Sequence, residues 1–155
     1  MEDQAPYGKN TNTRPTIKVK IQLLPGAKMP KYETPGSVGM DLYANIAEPI
    51  EILPGEQYLI PTGVKMQIEE GFEGQIRPKS GLKLKGLEAH LGTIDDDFVN
   101  EIKVIMYSKN GKSHTIIPGQ KIAQIVFVPV VRAILVDEPF EETERKGGFG
   151  STGIL

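Results

Sequence analysis

Residues 101–131, EIKVIMYSKNGKSHTIIPGQKIAQIVFVPVV, settle the secondary-structure class. Three strand-sized segments follow one another, each closed by turn residues. The first, 101–108, carries apolar side chains on both faces. It runs into Asn110-Gly111, two residues that tolerate positive φ and so predict a two-residue hairpin, with 113–117 as the returning strand. Pro118-Gly119 turns the chain again. The run from Lys121 to Val131 is apolar almost throughout, as a fully buried strand would be.

The same pattern extends outward. Ile17, Val19, Ile21 and Leu23 alternate with Lys18, Lys20 and Gln22, which is the period of a half-buried strand. Val64, Met66 and Ile68 alternate between predicted turns at Pro61 and Gly71. Pro-Gly pairs at 25–26, 35–36, 54–55 and 118–119 punctuate the chain, and 17 glycines and 12 prolines make turns frequent. Only 80–85 reads as a helical turn, and there is no internal repeat. The expected fold is all-β, a sandwich or a jelly-roll-like β-barrel. Residues 1–15 are expected to form a disordered arm, 16–140 the barrel domain, and 141–155 a mobile Gly-rich C-terminal arm that closes as a lid.

Composition narrows the function. The chain has 155 residues, 39% apolar and 25% charged, enough for one domain with its own core. A net charge of −2 argues against a basic nucleic-acid coat, so no nucleic-acid partner is expected. The absence of Cys removes disulfides, thiol catalysis and Cys-ligated zinc, and two His make a His-built metal centre an unlikely choice. No segment approaches the ~18 apolar residues of a membrane span, and residues 1–14 lack the apolar core of a secretory signal. A reducing, cytoplasm-like compartment is expected, or a host-cell compartment or virion for a virus-encoded chain.

Several short patterns carry candidate chemistry. Gly148 to Gly153 is a literal G-x-G-x-x-G, but neither a strand before it nor a helix after it supports dinucleotide binding. Its glycines can instead let backbone N–H groups converge on an anion, with Arg145 and Lys146 adding charge and Phe149 a stacking face. Residues 74–80 resemble a P-loop only until Pro78 stands where glycine is required. Arg77, Lys79, Ser80 and Gly81 still offer cations, a hydroxyl and amides. Asp95-Asp96-Asp97 reads first as an acidic turn, with Asp95 at a strand end because Ile94 precedes it. Consecutive strand residues alternate in direction, so at most two of the three carboxylates share a site. His90 and His114 are taken as surface or structural residues.

Order and spacing say more than any one of these patterns. Pro35-Gly36-Ser37-Val38-Gly39-Met40-Asp41-Leu42, Arg77-Pro78-Lys79-Ser80-Gly81, Gly92-Thr93-Ile94-Asp95-Asp96-Asp97-Phe98, Pro118-Gly119-Gln120-Lys121-Ile122-Ala123-Gln124 and 147–153 together resemble the five motifs of the homotrimeric dUTP diphosphatase family. The resemblance implies a jelly-roll homotrimer with active sites shared between subunits. It implies hydrolysis of dUTP to dUMP and diphosphate, which lowers dUTP and supplies dUMP for thymidylate synthesis. Asp95 then matches the general base that activates water against the α-phosphorus, and Asp41 an outer-shell anchor for Mg²⁺, which the triphosphate carries with no direct protein ligand. Arg77, Lys79, Ser80, Gly81, Gln124, Arg145, Lys146, Gly150, Ser151 and Thr152 match phosphate contacts. Ala89, Gly92, Thr93, Ile94, Phe98, Ile102 and Phe149 match the surroundings of uracil and deoxyribose.

The chain departs from the family pattern at several positions. Phe98 stands where Tyr is usual, Ala89 where many members have Asn, Lys79 where Arg is usual, and Asn100 where Gly is frequent. Arg145 lies four residues before Phe149 instead of five. Three other readings of the sequence compete. A dCTP deaminase shares the fold, but its catalytic glutamate is expected near Ile105, which is apolar. A non-catalytic regulatory trimer has no reason to keep Asp41, Ser80, Asp95 and Gln124. A structural jelly roll has no need of the Gly-rich tail.

Overall fold

The computed structural model describes residues 14–144 and 147. Its strands are β1 (Lys20–Leu23), β2 (Met40–Tyr43), β3 (Ile50–Ile52), β4 (Gln57–Gln67), β5 (Phe72–Arg77), β6 (Leu87–Ala89), β7 (Gly92–Ile94), β8 (Glu101–Ser108), β9 (His114–Ile116) and β10 (Lys121–Pro129). One short helix, α1 (Ser80–Leu84), follows β5, where the helical turn is expected. Two four-stranded sheets run β1-β4-β8-β6 and β2-β10-β5-β7, and β3 pairs with β9. Every strand pair is antiparallel. The architecture is the jelly-roll-like β fold that the turn spacing predicts.

Alternation explains how the sheets pack. On β8, Ile102, Val104 and Met106 are buried while Lys103 and Ile105 face outward. Leu42 of β2, Ile60 of β4 and Ile122 and Ile125 of β10 meet them in one core with no exposed surface. So β8 is buried on one face only, and Ile105 lies opposite Leu59 on the outside of its sheet.

Three expectations are corrected. The segment 16–23 forms ladder pairs only from Lys20 onward. Pro61 does not end a strand, because β4 runs straight through it. The Pro61 carbonyl accepts from the Asn45 amide at 2.8 Å, away from β8. The missing N–H of a proline therefore also points away from the β8 ladder and costs it nothing. A bulge follows between Pro61 and Val64, where Gly63 takes φ +68° and a Cβ would lie 2.6 Å from that of Ala27.

Asn110-Gly111 turns the chain but makes no hairpin, since β9 pairs with β3 in place of β8. The Asn110 side chain takes over the turn. Its Nδ2 donates to the Lys85 carbonyl at 2.9 Å, and its Oδ1 accepts from the Lys112 amide at 3.2 Å and meets His114 Nε2 at 2.9 Å. Tied to the loop after α1, the turn aims the chain at the other layer. Beyond Pro129 no described residue is in a strand, and residues 130–144 are exposed throughout.

The β4 bulge depends on one hydroxyl. Thr62 is 1% exposed; its Oγ1 donates to the Ile102 carbonyl at 2.6 Å and accepts from the Val64 amide at 3.2 Å. Thr62→Val keeps the shape but leaves two buried backbone groups unpaired. It is expected to cost about 1–3 kcal/mol, read as a lower denaturant midpoint at fixed protein concentration.

Candidate active site

The register of the second sheet aligns one row of polar residues. Gln124 on β10 lies opposite Asp41 on β2 and, on its other side, opposite Arg77 on β5. All three point away from the core. Gln124 Nε2 donates to the Pro78 carbonyl at 3.2 Å, which ties the row to the loop that carries Lys79, Ser80 and Gly81. Gly39 makes room for this arrangement, since a Cβ there would come within 2.6 Å of Gln124 Oε1. Ser80 and Gly81 are exposed at the start of α1, and Leu82 and Lys83 amides both donate to the Lys79 carbonyl.

Asp41 is 4% exposed, and a carboxylate that deep needs cations. Lys79 donates to its Oδ1 in a very short contact. Lys121 reaches Oδ2 at 2.8 Å, an ion pair without hydrogen-bond alignment, and also Glu33 at 2.9 Å. Burial pushes the Asp41 carboxyl upward, but the two lysines outweigh it and hold it below its ordinary value. Lys121 is correspondingly raised, by Asp41 first and Glu33 second.

Lys121 joins this row through a bulge. In a regular strand, residues three apart face opposite sides. Here Lys121 pairs with Tyr43 and Ala123 with Leu42, so β10 spends one extra residue, Ile122, against β2. Ile122 and Ala123 both sink into the core, and Lys121 emerges on the side of Gln124. Sequence reasoning assigned neither Lys121 nor Glu33 to the site. The adjacent buried pair Ile122-Ala123 was the available signal for Lys121; no signal pointed to Glu33.

The other predicted residues lie elsewhere. Gly92, Thr93 and Ile94 form β7, the outermost strand of this sheet, so half of its peptide groups face away from β5. Asp95 follows at the strand end, as expected, but it is exposed. The Phe98 amide donates to its carbonyl at 3.1 Å, closing a turn, and Phe98 is 36% exposed. Ile94 pairs with Gly74, so the Asp95 turn lies about four residues, or ~13 Å, along β5 from the row of Arg77. One chain therefore does not bring Asp95 together with Asp41, Ser80 and Gln124.

Three base-pocket candidates are corrected at the level of side chains. Ala89 (4% exposed), Ile94 and Ile102 (1% exposed) are core residues, drawn inward by strand alternation. The Ile102 carbonyl is engaged as well, by the Thr62 hydroxyl. Arg77 is turned along its own strand, donating to Gln75 Oε1 at 2.7 Å. Arg145, Lys146, Phe149, Gly150, Ser151 and Thr152 lie outside the described residues. Among the described residues no cluster of acidic or His side chains is arranged to hold a metal ion. No described helix is long and apolar enough to cross a membrane.

A second ionic cluster sits beside the site. Glu88 on β6 is 4% exposed; Lys83 of α1 meets it at 2.9 Å, Lys109 at 3.5 Å, and Tyr107 Oη donates to it at 3.0 Å. His90 stacks on Tyr107 with ring centroids 4.3 Å apart, a structural role as expected. The Lys83 hydrogen bond, against burial, holds the Glu88 carboxyl below its usual range. A lowered carboxylate stabilises the fold fully above its unfolded value, about 4.3, and loses that contribution as pH falls through the folded value. Glu88→Gln should therefore lower Tm at pH 7, and its deficit against the parent should shrink below about pH 4 in a thermal melt series.

Comparison with known proteins places the chain. A family model described as dUTPase matches residues 26–153. The deoxyuridine 5'-triphosphate nucleotidohydrolase of Chlamydia pneumoniae is 49% identical over 143 residues, covering 88% of this chain and 99% of that protein. The dUTPase of Staphylococcus bacteriophage 80alpha, solved with dUPNHPP, superposes with a TM-score of 0.78 at 27% identity, covering 88% of this chain and 99% of that one. A variant of the dUTPase of phage phi11 of S. aureus, whose structure concerns the coordination of a structural Mg(II) ion, shares the fold with a TM-score of 0.70 at 23% identity, covering 83% and 99%. On the family match and the close bacterial relative, the chain belongs to the dUTPase family.

Proposed function

We infer that this protein is a dUTP diphosphatase: it hydrolyses dUTP to dUMP and diphosphate. The observation that carries the site-level reading is the separation within one chain. A phosphate-type end (Asp41, Lys79, Ser80, Gln124) and a water- and base-type end (β7, Asp95, Phe98) stand apart on the outside of the same sheet. Each is half of a site. A second copy that sets its β7 turn against the first copy's Ser80–Gln124 end makes a whole one.

Exposed apolar surface supports association. Val131, Ile134, Leu135 and Phe140 are each at least 89% exposed, and Leu59 and Ile105 form an apolar pair on the outer face of the first sheet. A monomer rarely leaves so much apolar surface in water. Copies of this chain cover it, in a homotrimer with three shared sites. Residues 1–15 act as an arm outside the barrel, and 141–155 as the lid that closes over bound nucleotide, with Arg145 and Lys146 toward the γ-phosphate. Phe149 stacks on uracil, and Gly150, Ser151 and Thr152 wrap the phosphates. Ordering such a segment costs entropy, which only a ligand with several contacts repays.

The chemistry follows from these parts. Asp95 orients a water and takes its proton as the water oxygen bonds to the α-phosphorus. The bond from the α-phosphorus to the bridging oxygen breaks, and diphosphate leaves. Phosphoryl transfer needs positioning and charge neutralisation more than covalent help. Ser80, Gly81, Gln124 and Lys79 supply hydrogen bonds and charge to the phosphate oxygens. Mg²⁺ enters with the triphosphate as part of the substrate, adding positive charge there. Both Asp41 oxygens already face lysines, so Asp41 acts chiefly as an anchor for Lys79 and only secondarily toward a magnesium-bound water.

Base selection falls to the outer edge of β7, whose peptide groups can pair with uracil as a strand edge pairs with a partner. Gly92 and Thr93 provide that edge and the backbone of Ile94 its end, while the Phe98 ring excludes a ribose 2′-hydroxyl by packing under the sugar. The buried Ala89 and Ile102 shape the floor from behind. Deamination of dCTP finds no support, since Ile105 is an exposed aliphatic residue on β8. A cytoplasmic setting fits a Cys-free enzyme acting on the nucleotide pool.

Three experiments test this. Incubation with Mg²⁺ and dUTP, dCTP, dTTP or UTP should release diphosphate rapidly from dUTP alone and yield dUMP; equal release from UTP would overturn the selection assigned to Phe98. Asp95→Asn should keep nucleotide binding and lose about 10²–10⁴-fold in kcat, so a near-normal rate would remove Asp95 as the base. Removing residues 147–155 should leave a trimer by sedimentation and lower kcat/KM by about 10²-fold or more, so an intact rate would exclude the lid.

A further inference from the structure

Lys121 is the cation in direct contact with Asp41 that the reading of the site leaves without a task. It bridges Glu33, 2.9 Å away on the loop before β2, and Asp41, 2.8 Å away and buried. The β10 bulge at Ile122 exists at the place where it turns Lys121 onto the side of Gln124. A bulge interrupts the ladder, and here its visible return is the placement of this ammonium. Without Lys121, Asp41 Oδ2 would be a buried charge facing no cation, and Lys79 alone would have to neutralise the carboxylate.

Lys79 has two claims on it. As the partner of Asp41 it is held in place; as a phosphate contact it must have charge to spare. One lysine cannot fully serve a buried carboxylate and a triphosphate together. Two lysines share the task, because the second, itself divided between Asp41 and Glu33, takes up part of the carboxylate's charge. Glu33 in turn holds Lys121 from the solvent side, where Lys31 lies 3.8 Å from the same carboxylate and Tyr43 Oη 3.5 Å. The charged and titratable groups facing Asp41 are thus Lys79 beyond β5, Lys121 on β10, Glu33 and Lys31 before β2, and Tyr43 on β2 itself. Arg77 lies on the far side of Gln124 in the same row.

We propose that Lys121 is a positioning residue for dUTP hydrolysis: by bridging Glu33 and Asp41 it holds the buried carboxylate in place and takes part of its charge, so that Lys79 is positioned with more of its own charge toward the phosphates. The proposal rests on the reading that Asp41 and Lys79 lie at the phosphate end of the site. It makes Lys121 act through Asp41 and Lys79, without touching the nucleotide. The raised Lys121 and lowered Asp41 protonation equilibria agree with it.

The test uses the full chain with Lys121→Gln, Lys121→Arg and Glu33→Gln, each checked for trimer mass and Tm, with dUTP titrated at fixed Mg²⁺. The parent must first hydrolyse dUTP; if it does not, the functional reading fails before Lys121 is in question. Given an active parent, Lys121→Gln is expected to raise KM about tenfold while kcat changes less, since the lost element is grip on the phosphates. Lys121→Arg should return KM to within about threefold of the parent, because the guanidinium keeps the charge and can fork between two carboxylates. Glu33→Gln should shift KM in the same direction by a smaller factor. A parent-like KM in Lys121→Gln, or a loss that Lys121→Arg does not recover, overturns the proposal. If Lys121→Gln does not fold, the exposed Glu33→Gln site carries the test, and an unchanged KM there overturns it equally.

Discussion

A buried carboxylate is the constraint around which the second sheet is arranged. Asp41 is almost sealed from water, so it must be met by cations, and those cations come from two different parts of the chain. Lys79 arrives from the loop after β5, and Lys121 from the start of β10. Meeting this one requirement pins β2 to its neighbour, brings the Pro78–Gly81 loop back over the sheet end, and sets Gln124 beside it. Replacing a whole buried ion cluster by apolar residues of similar volume is often neutral for stability. Its presence at the end of a row of polar side chains is therefore better explained by the site than by the fold.

The division of the site also follows from ordinary sheet geometry. Antiparallel pairing fixes which residues stand side by side, and it sets the β7 turn and the Gln124 row at different heights on the same face. No side-chain rotation closes about 13 Å. In the proposed assembly another chain closes that distance, and the exposed apolar segment after Pro129 offers a surface for it.

Much of this was legible in the sequence, and the failures have physical causes. Alternation in 16–23 and 64–68, the apolar run after Lys121 and the Pro-Gly punctuation give the all-β class. The spacing of Asp41, Ser80, Asp95 and Gln124 gives the family. Pro61 misled because a proline ends a strand only when its missing donor faces a partner, and that depends on which side β8 lies. Asn110-Gly111 misled because the asparagine side chain spends its hydrogen bonds on Lys85 and His114. Ile102 and Ala89 were placed at the site by motif alignment, whereas strand parity turns both inward. Strict alternation misses Lys121 because a bulge adds a residue that a period of two does not count; the adjacent apolar pair Ile122-Ala123 is its trace in the sequence.

That uncounted residue has a consequence for anyone redesigning this chain. A procedure that rewards regular ladders would idealise β10 while keeping every residue, removing the bulge at Ile122. Parity would then carry Lys121 to the opposite face, setting an ammonium against the aliphatic interior and stripping Asp41 of a cation. The irregularity is therefore a kind of punctuation in the reading frame of the strand: between Lys121 and Gln124 the number of residues and the bulge can change only together.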